Sequence, residues 1–262
     1  LMSDIIPFVP HDDLQKDIER LRIEISMKFL ERDDLILQQC PSIETAYLLR
    51  FGSLEYKVIE AEYRWRRLRR KLQFLISARN RQEKIEEEQI EEWLDREFQE
   101  YLDRLDDKMK EMNEALDWSK RELLTKEESK LLKKLYRKIV KLLHPDLNPN
   151  LSDAQRDLFF KAVEAYEEGN IAKLEFIYTM IENQGEMKVS GLSLLQEKQR
   201  LENILRELQS SIEAIKDSYP YNLKTLLADE DACIEREQKL ERQLESLVNE
   251  IRRCEEQIAQ YV

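Results

Sequence analysis

From Ser53 to Leu143 the chain holds neither a glycine nor a proline. Turns and hairpins depend on those residues, and no Val/Ile/Thr run alternates with period two. Helix is the one regular structure that such a stretch supports. The whole chain of 262 residues has only 4 Gly and 6 Pro, so the argument extends beyond that stretch. Charged residues make up 37% and hydrophobic residues 42%. That is too apolar for disorder and too charged for one compact globule, and it suits long helices with narrow apolar seams. The prediction is an all-α fold, with elongated helical hairpins or coiled-coil arms flanking a central helical module. The boundaries expected are 1–120, 121–184 and 185–262.

In the first region, Ile5, Ile6, Phe8 and Val9, broken by Pro7 and Pro10, read as a short extended arm. A helix is expected from about Asp12, with Leu14, Ile18, Leu21 and Ile25 on its seam, and Pro41 and Ser42 mark a stop and a fresh N-cap. A sustained heptad follows: Tyr47, Phe51, Leu54, Val58, Ala61, Trp65, Leu68, Leu72 and Leu75. Gly52 sits inside it and suits a close helix crossing. Leu102, Leu105, Met109, Met112 and Leu116 repeat the rhythm.

Charge alternates sharply between these helices. Arg64, Arg66, Arg67, Arg69, Arg70 and Lys71 surround Trp65 and Leu68, whereas Glu83 to Asp107 holds twelve acidic and three basic residues. The two stretches are expected to lie antiparallel and neutralise one another. Trp65 and Leu68 belong to the apolar seam and so are not exposed stacking platforms for bases, which disfavours nucleic acid as a partner. The net charge of −12 points the same way. In the last region, Leu201, Leu205, Leu208, Ile212, Ile215 and Tyr219 form one seam. Leu240, Leu244, Leu247, Ile251, Cys254 and Ile258 form another, beyond a loop at Asp217 to Asn222. A short loop between two amphipathic helices predicts an antiparallel hairpin, with a homo-dimer open as a pairing mode.

The central stretch carries the chemistry. Thr125 and Glu128 fit a capping box that starts a helix at Lys126. Along it Lys130, Lys134, Arg137 and Lys141 form a basic stripe, flanked by Lys133 and Lys138, with no acid from Lys130 to Leu143. Pro145 ends the helix, and Asp146-Leu147-Asn148-Pro149-Asn150 is a loop. Ser152 and Gln155 cap a second helix that Gly169 and Asn170 stop, and a third follows from Ile171 to about Glu182.

A basic helix, a His-Pro-Asp loop and a further helix resemble the J-domain of DnaJ-family proteins. The residues that carry the resemblance are Tyr136-Arg137-Lys138, His144-Pro145-Asp146, Asn148-Pro149, Phe159 and Ala165-Tyr166. It covers about Leu124 to Glu182. The family's short first helix is not recognisable before Thr125, and Asn113 to Leu124 are expected in its place. The Gly/Phe-rich linker and the cysteine-rich zinc module of full-length DnaJ are absent.

The resemblance implies an atypical J-type co-chaperone that is not itself an enzyme and stimulates ATP hydrolysis by a DnaK-type chaperone. Lys130, Lys134, Arg137, Lys138 and Lys141 would dock electrostatically on an acidic face, with His144, Pro145 and Asp146 as the trigger. The helical arms would offer a surface for a client protein. The competing reading is a coiled-coil interaction scaffold whose J-like insert does not activate a chaperone. That reading gains if the bend lies buried under a long helix.

Other classes are excluded more directly. Three distant cysteines and two histidines form no zinc or disulfide pattern, so no metal and no cofactor are expected. No apolar run has the length of a membrane span and no secretory leader is visible, so a cytoplasmic protein away from membranes is expected.

Overall fold

The computed structural model of the protein describes residues 11–82, 87–121, 123–182 and 193–261. The N-terminal arm and the glycines at 185 and 191 lie outside the described residues. Among the described residues the fold is all-α, without strands. In chain order the helices are α1 (His11–Asp34), a π-helical turn Leu35–Gln39, α2 (Cys40–Tyr47), a second π-helical turn Leu48–Gly52, α3 (Ser53–Arg81) and α4 (Glu87–Glu97). There follow α5 (Gln99–Ser119), α6 (Lys126–Leu143), α7 (Asp153–Glu167), α8 (Ile171–Glu182), α9 (Leu194–Asp217), α10 (Leu223–Ala228) and α11 (Glu230–Ile258).

These helices form two compact units, and neither unit is a contiguous stretch of chain. One takes the described residues up to Cys40 and those within Glu122–Tyr221; the other takes Pro41–Arg121 and Asn222–Val262. The three consecutive regions expected from the sequence are therefore corrected. The predicted hairpin of the last region is not formed either, because α9 packs along α1 and α11 packs along α3. Both pairs are parallel. Asp17 meets Lys198 at 2.6 Å and Glu31 meets Lys216 at 2.6 Å, advancing together along α1 and α9. Glu55 meets Arg236 at 2.9 Å and Arg64 meets Glu255 at 2.6 Å, advancing together along α3 and α11. A heptad seam specifies that a helix needs a partner; it names neither the partner nor its direction.

In the first unit α6, α7 and α8 pack on one another, and α1 lies on α6. Leu132, Leu135, Tyr136, Ile139, Val140 and Leu143 of α6 share one core with Ile25 and Phe29 of α1, with Phe159 and Tyr166 of α7, and with Leu201 and Leu208 of α9. Each such side chain contributes about 1.5–3 kcal/mol by leaving water. The predicted helix starts hold: Thr125 with Glu128 and Ser152 with Gln155 both close full capping boxes. Asn113 to Ser119, expected to precede α6 as a local helix, instead belong to α5 of the second unit. The helix that lies on α6 comes from the start of the chain. Nor does Pro41 break the helix. The turn before it is π-helical, with the Cys40 N–H bonded to the Leu35 carbonyl, and a proline in the turn that follows is tolerated.

In the second unit α3 runs antiparallel to α4 and α5, as the charge pattern predicted. Arg67 holds Glu91 and Asp95 (2.7 Å to Asp95), Lys71 holds Glu91 at 2.7 Å, and Arg70 holds Glu97 at 3.0 Å. Arg69 lies over the Trp65 ring. Gly52 does mark a close crossing, since a Cβ there would stand 3.2 Å from Cγ of Met112 on α5.

Gly169 closes α7 with φ of +70°, and a Cβ there would come within 3.3 Å of the Leu124 side chain. Gly169→Ala is expected to lower stability by about 1 kcal/mol and Tm by roughly 2–4 °C, measured by thermal unfolding followed by circular dichroism.

Candidate functional site

The His-Pro-Asp bend sits where α6 ends. The His144 N–H completes the last helical bond to the Val140 carbonyl at 2.9 Å, and Leu147 and Asn148 N–H both return to the His144 carbonyl. The Asn148 side-chain amide donates to the Lys141 carbonyl at 3.0 Å, capping the open end of the helix. Pro145 sits half-buried within this turn. The Asp146 N–H donates to Nδ1 of His144 at 3.1 Å, so one imidazole nitrogen is committed within the bend.

The His144 ring is part of the core. It is 6% exposed. It stacks on Phe29 of α1 with centroids 3.5 Å apart and meets the edge of Phe159 at 5.0 Å. Burial, helped by the nearby Arg32 guanidinium, pushes its pKa down to about 3, so the ring is neutral. His144, expected from the resemblance as part of the trigger, is packed in the core in this structure. The Asp146 carboxylate behaves differently: it is 60% exposed and 4.0 Å from the ring nitrogen.

Two arginines hold the loop from outside. Arg200 of α9 donates to the Asp146 carbonyl, and Arg22 of α1 reaches Oδ1 of Asn148 at 3.4 Å. Both meet on Glu197 of α9, which is 2% exposed, with Arg200 at 2.9 Å and Arg22 at 3.0 Å. Arg200, and then Arg22, hold the Glu197 carboxyl below its ordinary value despite its burial.

The basic stripe divides into two parts. Lys130, Lys134 and Arg137 are exposed and make no ion pair among the described residues. Lys138 is also exposed and lies 4.5 Å over the Tyr178 ring of α8. Nearest the bend, Glu19 of α1 pairs with Lys141 at 2.5 Å, and farther back Asp34 pairs with the flanking Lys133 at 2.8 Å. Beneath the stripe, Tyr136 donates to Asp33 at 2.7 Å and Tyr166 to Asp34 at 2.8 Å, and the two rings stack at 4.3 Å. Burial, and the carboxylates beside them, push both phenols above their ordinary range. Tyr136 and Phe159 are core.

Phe29, Arg22, Glu197 and Arg200 were not anticipated. Phe29 continues the Leu14, Ile18, Leu21, Ile25 seam by one step of four, and Glu197 precedes Leu201 of the α9 seam by the same step. A carboxylate standing on an apolar seam was the available signal. Among the described residues no cluster of His, Cys, Asp and Glu could hold a metal, and no helix is long and apolar enough to cross a membrane.

A neutral, buried His144 costs stability in acid. The unfolded chain takes up its proton near 6.5 and the folded chain only near 3. The contribution is therefore complete above about pH 6.5 and declines as pH falls toward 3, by up to about 1.4 kcal/mol per pH unit. Between pH 7 and pH 5 the wild type is expected to lose more unfolding free energy than His144→Gln in urea titrations.

No protein-family model, curated protein or solved structure matches this chain.

Proposed function

We propose that the chain is a J-type co-chaperone that docks a DnaK-type chaperone through α6 and the bend that follows it and stimulates its ATP hydrolysis. The observation that carries this reading is the run of exposed, unpaired cations Lys130, Lys134 and Arg137 on a helix that ends at the exposed Asp146 carboxylate. Exposed like charges on one rigid helix attract an acidic face, raise the on-rate and weaken with salt. Asp146 is placed to pair with a basic residue of the partner. Lys138 and Lys141 extend the charged face, the latter half-buried and shared with Glu19. In this reading the chain contributes binding and no covalent chemistry.

One observation favours a second reading. His144 is buried and stacked on Phe29, so this half of the motif does not face a partner. On that reading the chain is a helical interaction scaffold, and the bend serves only to join α6 to α7.

Binding of the ATP-bound chaperone to the full chain separates the two. The co-chaperone reading expects binding at low salt that weakens as salt rises. It also expects a loss of about tenfold or more both on replacing Lys130, Lys134 and Arg137 by Glu and in Asp146→Asn. No binding by the wild type, or binding that survives both changes, leaves the scaffold reading.

A further inference from the structure

The contacts that cover the bend are of an unusual kind for a core. On the α1 side they are aromatic and permanent in character, with Phe29 on His144. On the α9 side Leu201 and Leu208 join the core, and the contact with the loop main chain is polar. Arg200 holds the Asp146 carbonyl, Arg22 touches Asn148, and both arginines hang on the single carboxylate of Glu197. Directly beside them the packing is open. A cleft of about 320 Å³ separates Phe29, Arg32 and Asp146 from Ile204, Leu208 and Ser211 of α9. At the Asp146 main chain the hold of α9 is the Arg200 hydrogen bond.

The charge pattern of α1 adds a second, independent observation. Within α6, Lys130, Lys134 and Arg137 make no ion pair among the described residues, while the cations on the α1 side are met by its carboxylates, Lys141 by Glu19 and Lys133 by Asp34. Glu19 of α1 thus already occupies Lys141, the α6 cation nearest the bend, where an acidic partner would continue onto it.

We propose that α1 and α9 form an autoinhibitory latch over His144, Pro145 and Asp146, and that Glu197, by holding Arg22 and Arg200 against the loop, keeps it shut. The latch rests on the docking reading for its purpose and on the geometry alone for its existence. In the closed state the distal stripe and the Asp146 carboxylate support a first, electrostatic encounter. Full engagement of the bend requires α9 to release the Asp146 main chain and the α1 carboxylates to yield to those of the partner. A competing acidic face supplies the differential affinity that such a shift needs.

The test has two arms on the full chain. In the first, the rate at which diethylpyrocarbonate modifies His144 is read by mass spectrometry in the wild type, Arg200→Ala, Glu197→Gln and Lys216→Ala. Lys216 pairs with Glu31 on the same two helices, away from the loop. The latch expects Arg200→Ala and Glu197→Gln to raise the rate about tenfold or more, with helical content retained, and Lys216→Ala to stay near the wild type. Rates unchanged in Arg200→Ala and Glu197→Gln overturn the latch. An equal rise in Lys216→Ala also overturns it, because the opening is then general loosening. Arg200→Ala removes a partly exposed side chain and keeps the test valid if Glu197→Gln fails to fold.

In the second arm, single-turnover ATP hydrolysis by a DnaK-type chaperone is expected to be accelerated several-fold more by Arg200→Ala than by the wild type. Exposure of His144 with no acceleration by either protein overturns the docking reading, and equal acceleration by both overturns the autoinhibitory role of the latch.

Discussion

Two adjacent carboxylates on α1, Asp33 and Asp34, fix the register on which the site depends. Burying carboxylates is costly unless every lone pair finds a donor. Here Asp33 takes the Tyr136 hydroxyl and Arg32, and Asp34 takes the Tyr166 hydroxyl, Lys133 and Gln39. Sliding α1 along α6 by one turn would break the bonds of the two carboxylates to Tyr136, Tyr166 and Lys133. The pair therefore selects one docking of α1. That docking places Phe29, one helical turn earlier, over the His144 ring.

From that register the character of the bend follows. His144 becomes a neutral core ring, its Nδ1 bonded to the Asp146 N–H, and Asn148 caps the helix behind it. The Asp146 carboxylate is left outside. The motif is thus divided between a structural half and an exposed half, and Lys141, the stripe cation nearest the bend, is paired with Glu19 of α1. α9 joins through the buried Glu197 and its two arginines, a satisfied network in which each member depends on the others. Losing one arm of it frees the loop from α9.

Local features of this arrangement were legible in the sequence. The capping boxes at Thr125 and Ser152, the stop at Gly169 and the neutralisation of the Arg64 to Lys71 run are all dictated by neighbours within a few residues or by bulk charge, and all are observed. The assembly of helices was not legible. The seams of α9 and α11 fit each other as well as they fit α1 and α3, and a short loop between them argued for a hairpin that does not form. For the same reason the burial of His144 could not be read from the sequence. Exposure depends on which distant helix lies above the bend, and the sequence offered only faint hints, the seam positions of Phe29 and Glu197. Pro41 misled because the widened turn before it was invisible in residue type.

The central claim is that the His144 ring packs on α1 in the full chain. Nuclear Overhauser contacts between the His144 and Phe29 ring protons in solution test it most directly. Strong contacts are predicted, with His144 ring shifts far from those of a solvated imidazole. A freely mobile His144 ring without contacts to Phe29 would contradict the account.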